Sequence, residues 1–297
     1  VTELGDRGVG FADPGLQSGV PAMEAGGTTV VVNVLWPPRD VDHEAFTTAQ
    51  LDRFHAALAA VPDRMALARS PDEADAIVRS GRIASLLALE GAHGISGSGI
   101  EGLRRLHAGG LTMLGLTWSL SNRFGGSSGD GGGGLTDDGR QLVAEAQRLG
   151  ILVDLSHASR QTTLDVCAVS AAPLVASHSG AAAVHDVPRN LSDAEIACIA
   201  ATGGIIGVNF HAPFVAGGPV GVAEVADQVD ALVRLAGVAH VGIGSDFDGD
   251  ITTPVGLGRA DQLPALWAEL ERRGYDADAI AAVRGDNFRR VWTAVQP

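Results

Sequence analysis

The sequence is poor in aromatic residues and in cysteine, and it has no run of positive charge. Phe, Trp and Tyr make up only 4% of its 297 residues, so nothing offers the stacked aromatic platform that single-stranded nucleic acids use. No stretch is rich in Lys or Arg, and the net charge of −14 opposes a phosphate-backbone partner, which excludes nucleic acid. No window reaches the roughly 20 apolar residues of a membrane-spanning helix, and the C-terminal string VRGDNFRRVWTAVQP carries no hydrophobic anchor. A membrane partner is therefore not expected. Cys167 and Cys198 are the only two cysteines and lie outside any CxxC spacing. They read as small apolar fillers in a reduced, cytoplasmic protein. The chain opens on Val1 with no charged-then-apolar leader, and the expectation is that its natural start lies upstream.

What the sequence does hold is a hydrophobic content of 45% with 40 glycines, suited to a core of Val, Ile, Leu and Ala on short strands joined by tight turns. Seven apolar runs have strand length: 28–35, 83–91, 111–118, 151–157, 173–179, 205–211 and 240–247. They lack polar alternation, as strands covered on both faces of a parallel sheet do. Between them lie helical patterns such as GRQLVAEAQRLG, SDAEIACIAATGG and VAEVADQVDALVRLAG, each ending in Gly. In LSDAEIACIA, Ser192 or Asp193 is a natural N-cap. The repeated βα unit predicts an α/β fold, a TIM-like (β/α)8 barrel formed by one domain over residues 1–297, with no linker to divide it. An open doubly wound sheet also alternates strand and helix, but it gathers ligands at one crevice rather than at several strand ends. The opening residues read as loop and then helix, so the first strand of the barrel is expected to be missing or truncated. Sheet edges left open by that gap predict weak stability or pairing with a second copy as a homodimer. The segment NRFGGSSGDGGGGLTDD has neither GxxxxGK[ST] nor a GxGxxG opening a helix, and it reads as a flexible lid or an insertion at the barrel mouth.

Three of the runs close on metal-binding side chains: Glu90 after SLLAL, His157 in ILVDLSH and His178 in PLVASHS. A carboxylate after so apolar a string needs a cation or a set of donors, either a metal or a structural Arg. Each histidine alone could be a satisfied core residue. Together at equivalent strand ends, the three make the N and O donor set of a hydrolytic metal site. Asp246, in HVGIGSDFDGD, reads as an acid/base group, with Asp248 as a structural partner or a turn cap. The calcium-loop reading of DxDGD lacks its closing Glu. Arg189, before a helix start in VPRNLSD, could clamp a substrate carboxylate or form a surface ion pair. His93, His107, His185 and His240 read as structural, and His211 as pocket lining.

The strings LEGAHGI, LTWSLSN, LVDLSHAS, APLVASHSGA, VPRNLSD, GVNF and GIGSDFDG, in this order, resemble the membrane (renal) dipeptidase family of zinc peptidases from about residue 20 to the end. The resemblance implies a TIM-like barrel holding two zinc ions and hydrolysing dipeptides by a metal-bound hydroxide. It implies Glu90 as the bridging ligand, His157 and His178 as ligands of one zinc, and Asp246 as the proton shuttle. Arg189 would be the clamp on the substrate's C-terminal carboxylate, with Asn190 and Trp118 as further substrate contacts. Two departures stand out. The family's first strand carries a His-x-Asp pair for the other zinc, whereas the first histidine here is His43, in VDHEAF, with Ala45 in place of the Asp. Trp118 stands where a family histidine polarises the scissile carbonyl. The alternatives are a single-metal amidohydrolase of other substrates and a non-catalytic degenerate barrel.

Overall fold

The computed structural model describes Leu4 and residues 8–296. The strands are β1 (Val30–Leu35), β2 (Met65–Leu67), β3 (Ile83–Leu89), β4 (Leu111–Gly115), β5 (Leu152–Asp154), β6 (Val175–Ser179), β7 (Ile205–Asn209) and β8 (Val241–Gly244). Every pairing is parallel, in the order β1-β3-β4-β5-β6-β7-β8, with the three-residue β2 beside the start of β3. The helices that matter below are α1 (Val20–Gly26), α2 (His43–Ala59), α3 (Pro71–Arg79), α4 (Ile100–Ala108), α5 (Asp137–Arg148), α6 (Arg160–Val169), α7 (Asp193–Ala201), α8 (Ala212–Val215), α9 (Val222–Ala236), α10 (Leu263–Arg272), α11 (Ala277–Ala281) and α12 (Asn287–Val295). All seven expected strands form, and the three expected helices are α5, α7 and α9. β2 is too short to leave a period in the sequence.

The helices start where side chains satisfy their first amides. Ser70 caps α3 ahead of Pro71, Thr136 caps α5, and Ser192 with Glu195 forms a capping box on α7, each supplying an acceptor for otherwise orphaned N–H groups. The two-residue period of the strands then divides the core. Leu87, Leu89, Leu114, Val153 and Ile206 face the helix layer, while Ala84, Leu86, Ala88, Met113, Leu152, Val175 and Ile205 face the barrel interior. Val291, Trp292 and Val295 of α12 pack into that interior beside the strand starts. They fill part of the interior, while the candidate functional groups stand at the strand C-termini.

The barrel is open on one side. Among the described residues β1 pairs with β3 and β8 with β7, and no pairing joins β1 to β8. Val30 is 39% exposed, and Val31 to Val34 are half-buried although the strand reads VVVNVL. By contrast, β3, β4, β5 and β7 are buried throughout. A cavity of about 1270 Å³ is lined by Val30 to Val34 on one side and Gly242 to Gly244 on the other, and it reaches Glu90, His157, His178 and Asp246. The fold is thus a TIM-like barrel that lacks one strand, as the sequence leads one to expect.

Two expectations are corrected. Cys167 and Cys198 are bonded to each other, joining α6 to α7 across a Cα–Cα distance of 6.0 Å. Their spacing hides the pairing; it arises because β5 and β6 are neighbours, which sets their following helices side by side. The bond removes the basis for assigning a reducing compartment. The glycine-rich segment is not a loose lid, because its backbone is tied down along its length. Gly126 N donates to Thr162 Oγ1, Ser128 N to the His157 carbonyl, and Leu135 N to Asp165. The glycines are needed for close backbone approach: a Cβ on Gly126 would lie 2.1 Å from the Gly133 carbonyl oxygen.

Candidate metal centre

The site sits at the C-terminal ends of the strands. Glu90 directly follows β3, His178 lies in β6, and His157 and Asp246 stand three and two residues past β5 and β8. Glu90 Oε1 lies 2.9 Å from His157 Nε2 and 3.3 Å from His178 Nε2, and the two Nε2 atoms are 3.1 Å apart. A tetrahedral zinc with N and O ligands near 2.1 Å sets its ligand atoms about 3.4 Å from one another. The trio is therefore already spaced as the face of such a site, and it is the one group of three or more His, Cys, Asp or Glu with this closeness among the described residues. Two imidazole nitrogens and a carboxylate oxygen at these distances, each able to turn a lone pair to one point, are a donor set that fits a metal.

The charges of the metal-free site follow from the same geometry. Burial pushes the Glu90 carboxyl up, but hydrogen bonds with His157 and His178 pull harder and hold it well below the ordinary carboxylate range. Burial, reinforced by the Arg189 charge, pushes His157 down to about 3. Burial also works against a proton on His178, yet the Asp246 charge together with Glu90 raises it above the usual value. His178 is thus the more basic of the two histidines, and a metal at its Nε2 would compete with a proton there. Asp246 is raised by burial, with the His178 charge opposing; its Oδ2 accepts from Asn209 at 3.2 Å.

His157 has a left-handed backbone, φ 68°, unusual for a side chain with a Cβ and found where surroundings enforce it. The glycine-rich segment supplies that enforcement, since Ser128 N donates to the His157 carbonyl at 2.8 Å and Ser127 Oγ packs 3.1 Å from the same oxygen. Ser127 Oγ also contacts the Trp118 carbonyl. Asp246, Asp248 and Asp250 share the left-handed conformation, with φ of 62°, 61° and 55°. Asp248 takes the structural role. Its carboxylate accepts from Gln17 N and Ser18 N, both at 2.8 Å, and from Ser18 Oγ, pinning the segment before α1 to the loop after β8.

The remaining candidates distribute around this centre. Trp118 follows β4 and stands 6.5 Å, ring to ring, from His157. It packs edge-on against Trp36 at 4.8 Å, and the Arg39 guanidinium lies 5.4 Å from its ring. Both indoles line the cavity, as does His211. Arg189 is 9% exposed and donates to Ser179 Oγ at 3.0 Å and the His178 carbonyl at 2.8 Å, while its buried Nε has no partner. Burial lowers its pKa. Asn190 uses its amide nitrogen on the His185 and Phe214 carbonyls, at 2.8 and 2.7 Å. Neither Arg189 nor Asn190 is among the cavity-lining residues. His43 opens α2, its Nε2 3.2 Å from the Arg39 carbonyl, away from the trio. His93, His107 and His240 contact the backbone carbonyls of Pro37, Leu111 and Gly204, in keeping with structural roles. Sequence reasoning missed Asp154, Ser177 and Ser127. The first two lie beside ligands in VDLSH and ASHS, but a serine or aspartate inside an apolar run gives no sign of which way it faces.

Comparison with known proteins agrees with this geometry. The family described as membrane dipeptidase, peptidase family M19, matches residues 13–297. The chain is 39% identical over 264 residues to dipeptidase verJ of Clonostachys rogersoniana, covering 86% of this chain and 67% of that protein. It is 35% identical to an uncharacterized dipeptidase of Schizosaccharomyces pombe, covering 72% of this chain and 54% of that one; the chain thus spans about two thirds and about half of these two relatives. Among solved structures, a metallopeptidase from Rhodobacter sphaeroides bound to a phosphinate mimic of the dipeptide L-Ala-D-Ala superposes with a TM-score of 0.89 at 30% identity, covering 96% of this chain and 92% of that one. A dipeptidase of family M19 gives the same TM-score at 32% identity, with 95% and 90% covered. With the family match running almost end to end, the chain belongs to the membrane dipeptidase family of metallopeptidases.

Proposed function

We propose that the chain hydrolyses dipeptides with zinc held by Glu90, His157 and His178. The observation that carries this reading is the convergence of three acceptor atoms within 2.9 to 3.3 Å of one another. Bound there, zinc would lower the pKa of water and polarise the peptide carbonyl. Asp246 takes the proton of the attacking water and returns it to the leaving amine. Its raised pKa suits a group that must hold that proton between the two events. Arg189 supplies the positive charge that draws the substrate's C-terminal carboxylate, and its guanidinium, 2.8 Å from the His178 carbonyl, stands beside the proposed ligands. Asn190 acts by fixing the turn that carries Arg189 rather than by touching substrate. Trp118 and Trp36 form the wall on the His157 side, an apolar surface for the other end of the dipeptide.

A single-metal reading draws on one observation, that the described residues bring together one ligand cluster. One experiment addresses both. Zinc content is measured on the purified chain, and hydrolysis of L-Ala-D-Ala and of L-Ala-L-Ala is followed by amine release, for the wild type and His178→Ala. Dipeptide hydrolysis that needs zinc and is lost in His178→Ala supports the proposal. One zinc per chain with cleavage of other amides but no dipeptide turns it to the single-metal reading, and a chain that takes up no zinc refutes both.

A further inference from the structure

Asp154 is a buried carboxylate, 4% exposed, at the last position of β5, and the proposed chemistry does not use it. Its Oδ1 accepts from Ser156 N at 3.0 Å and Ser177 N at 2.8 Å, and its Oδ2 accepts from Ser177 Oγ at 2.6 Å. Every one of these contacts places a donor against Asp154, as an ionised carboxylate requires. Ser177 Oγ is at the same time 2.7 Å from His178 Nδ1.

A hydroxyl has one proton. Ser177 can give it to Asp154, to His178 Nδ1, or to Ser156 Oγ at 3.3 Å. The charge-assisted bond to the carboxylate is the shortest and strongest of the three. With the proton committed there, Ser177 Oγ faces His178 Nδ1 as an acceptor, so Nδ1 must carry the hydrogen. Nε2 is then the ring nitrogen with the free lone pair, and it is the atom that lies 3.3 Å from Glu90 and 3.1 Å from His157 Nε2. We infer that Asp154, acting through Ser177, is a positioning residue that fixes the tautomer and ring orientation in which His178 presents Nε2 to a metal. The inference rests on the reading of Glu90, His157 and His178 as a metal site. It adds a carboxylate–serine–histidine chain in the place where ligand histidines ordinarily meet a carboxylate directly. His157, by contrast, is held through its backbone carbonyl, so the chain makes a distinction between the two histidines that can be measured.

The test uses the full chain, wild type, Ser177→Ala and Asp154→Asn, titrated with Co2+ and followed by its visible absorption. Alongside, the melting temperature of each metal-free protein and the solvent exchange of the His178 Nδ1 proton in the zinc-loaded protein are measured by calorimetry and NMR. Ser177→Ala is the cleaner variant, because the backbone bonds of Asp154 survive it. The expected result is about tenfold or greater weakening of Co2+ binding, in the range usual for loss of such outer partners. Faster exchange of the Nδ1 proton and a metal-free melting temperature close to wild type should accompany it, with Asp154→Asn falling between. Co2+ binding by Ser177→Ala within twofold of wild type overturns the inference. So does a loss of affinity matched by a fall in metal-free melting temperature with Nδ1 exchange unchanged, since that is a folding role. A wild-type chain that binds no Co2+ instead removes the metal site itself, a failure distinguishable from the other two.

Discussion

Breaking the Cys167–Cys198 bond should lower the melting temperature by about 6 °C. The bond links residues 31 apart, and the loop-closure model assigns a cross-link of that length about 3.7 kcal/mol, by restricting the unfolded chain. Unfolding entropy near 2.1 cal/mol/K per residue gives roughly 0.6 kcal/mol/K for a chain of 297 residues, and the ratio of the two sets the shift. Both cysteines are only half-buried, so alanine leaves little cavity behind and Cys167→Ala/Cys198→Ala isolates the cross-link. Scanning calorimetry of the oxidised protein, the same protein under a dithiol reductant and the double variant makes the comparison, with the last two expected to coincide. Alkylation of the unreduced protein followed by mass spectrometry is the direct check. Two carbamidomethyl groups on the unreduced chain, or a reduced protein that melts with the oxidised one, would refute the reasoning and restore the reading of both residues as free thiols.

Glu145 is held down to about 2 by hydrogen bonds from Arg148 and Arg104. A carboxylate with a lowered folded pKa stabilises above its unfolded value and loses that contribution as pH falls. Glu145→Gln should therefore melt lower than wild type at pH 6, with the difference vanishing between pH 4.5 and 2; a difference constant with pH contradicts the ion pairs. Zinc binding should release protons, because the raised basicity of His178 sets metal and proton in competition for its Nε2. Affinity should fall as the pH drops, from a higher pH than an ordinary histidine would set, and calorimetry showing no dependence on the ionisation heat of the buffer would refute this. Gly126→Ala should cost about 1–3 kcal/mol in urea unfolding, as forced overpacking does, because its Cβ meets the Gly133 carbonyl. Unchanged stability would mean that the segment has room to shift. Asp248→Ala should leave the fold intact while speeding proteolysis within residues 8–19, since it frees Gln17 and Ser18; an unchanged cleavage rate would show that other contacts hold that segment.

The strands and the ligand trio were legible for one reason: both follow from local pattern. An apolar run ending in a polar metal-binding residue marks a parallel strand and its functional end together, and Glu90, His157 and His178 each sit at such an end. What stayed hidden depends on neighbours distant in sequence. The Cys167–Cys198 bond follows from the adjacency of α6 and α7. The order of the glycine-rich segment follows from its fit against Thr162 and the His157 carbonyl, while glycine content by itself signals flexibility. Asp154 reads as part of an apolar strand until β6 brings Ser177 beside it. Asp248 was legible as a structural partner of Asp246, but the residues that it holds, Gln17 and Ser18, lie more than 200 positions away in sequence.

The strand pairing that holds the ligand trio does not cross the open side of the barrel. Glu90, His157 and His178 rise from β3, β5 and β6, which with β4 form an uninterrupted paired block: Leu89 aligns with Leu114, Gly115 with Asp154, and Asp154 with Val175. The gap lies elsewhere, between β1 and β8. The donors of this chain therefore keep their 2.9 to 3.3 Å spacing through pairing and through the ties to Ser127, Ser128 and Ser177, although Ser177 and the three donors line the same cavity as the open side. A second metal of the kind that the resemblance implies would need donors from the open side, where the described residues offer Val30 to Val34 and Gly242 to Gly244. Of these strand positions Asn33 has a polar side chain and donates to Ser85 Oγ at 2.9 Å, while Asp246 and Asp250 line the same cavity from the loop after β8. The first metal position is thus a property of the folded block, and the second depends on what fills the space between β1 and β8. Metal affinity at the trio should depend less on the state of that space than any two-metal chemistry does.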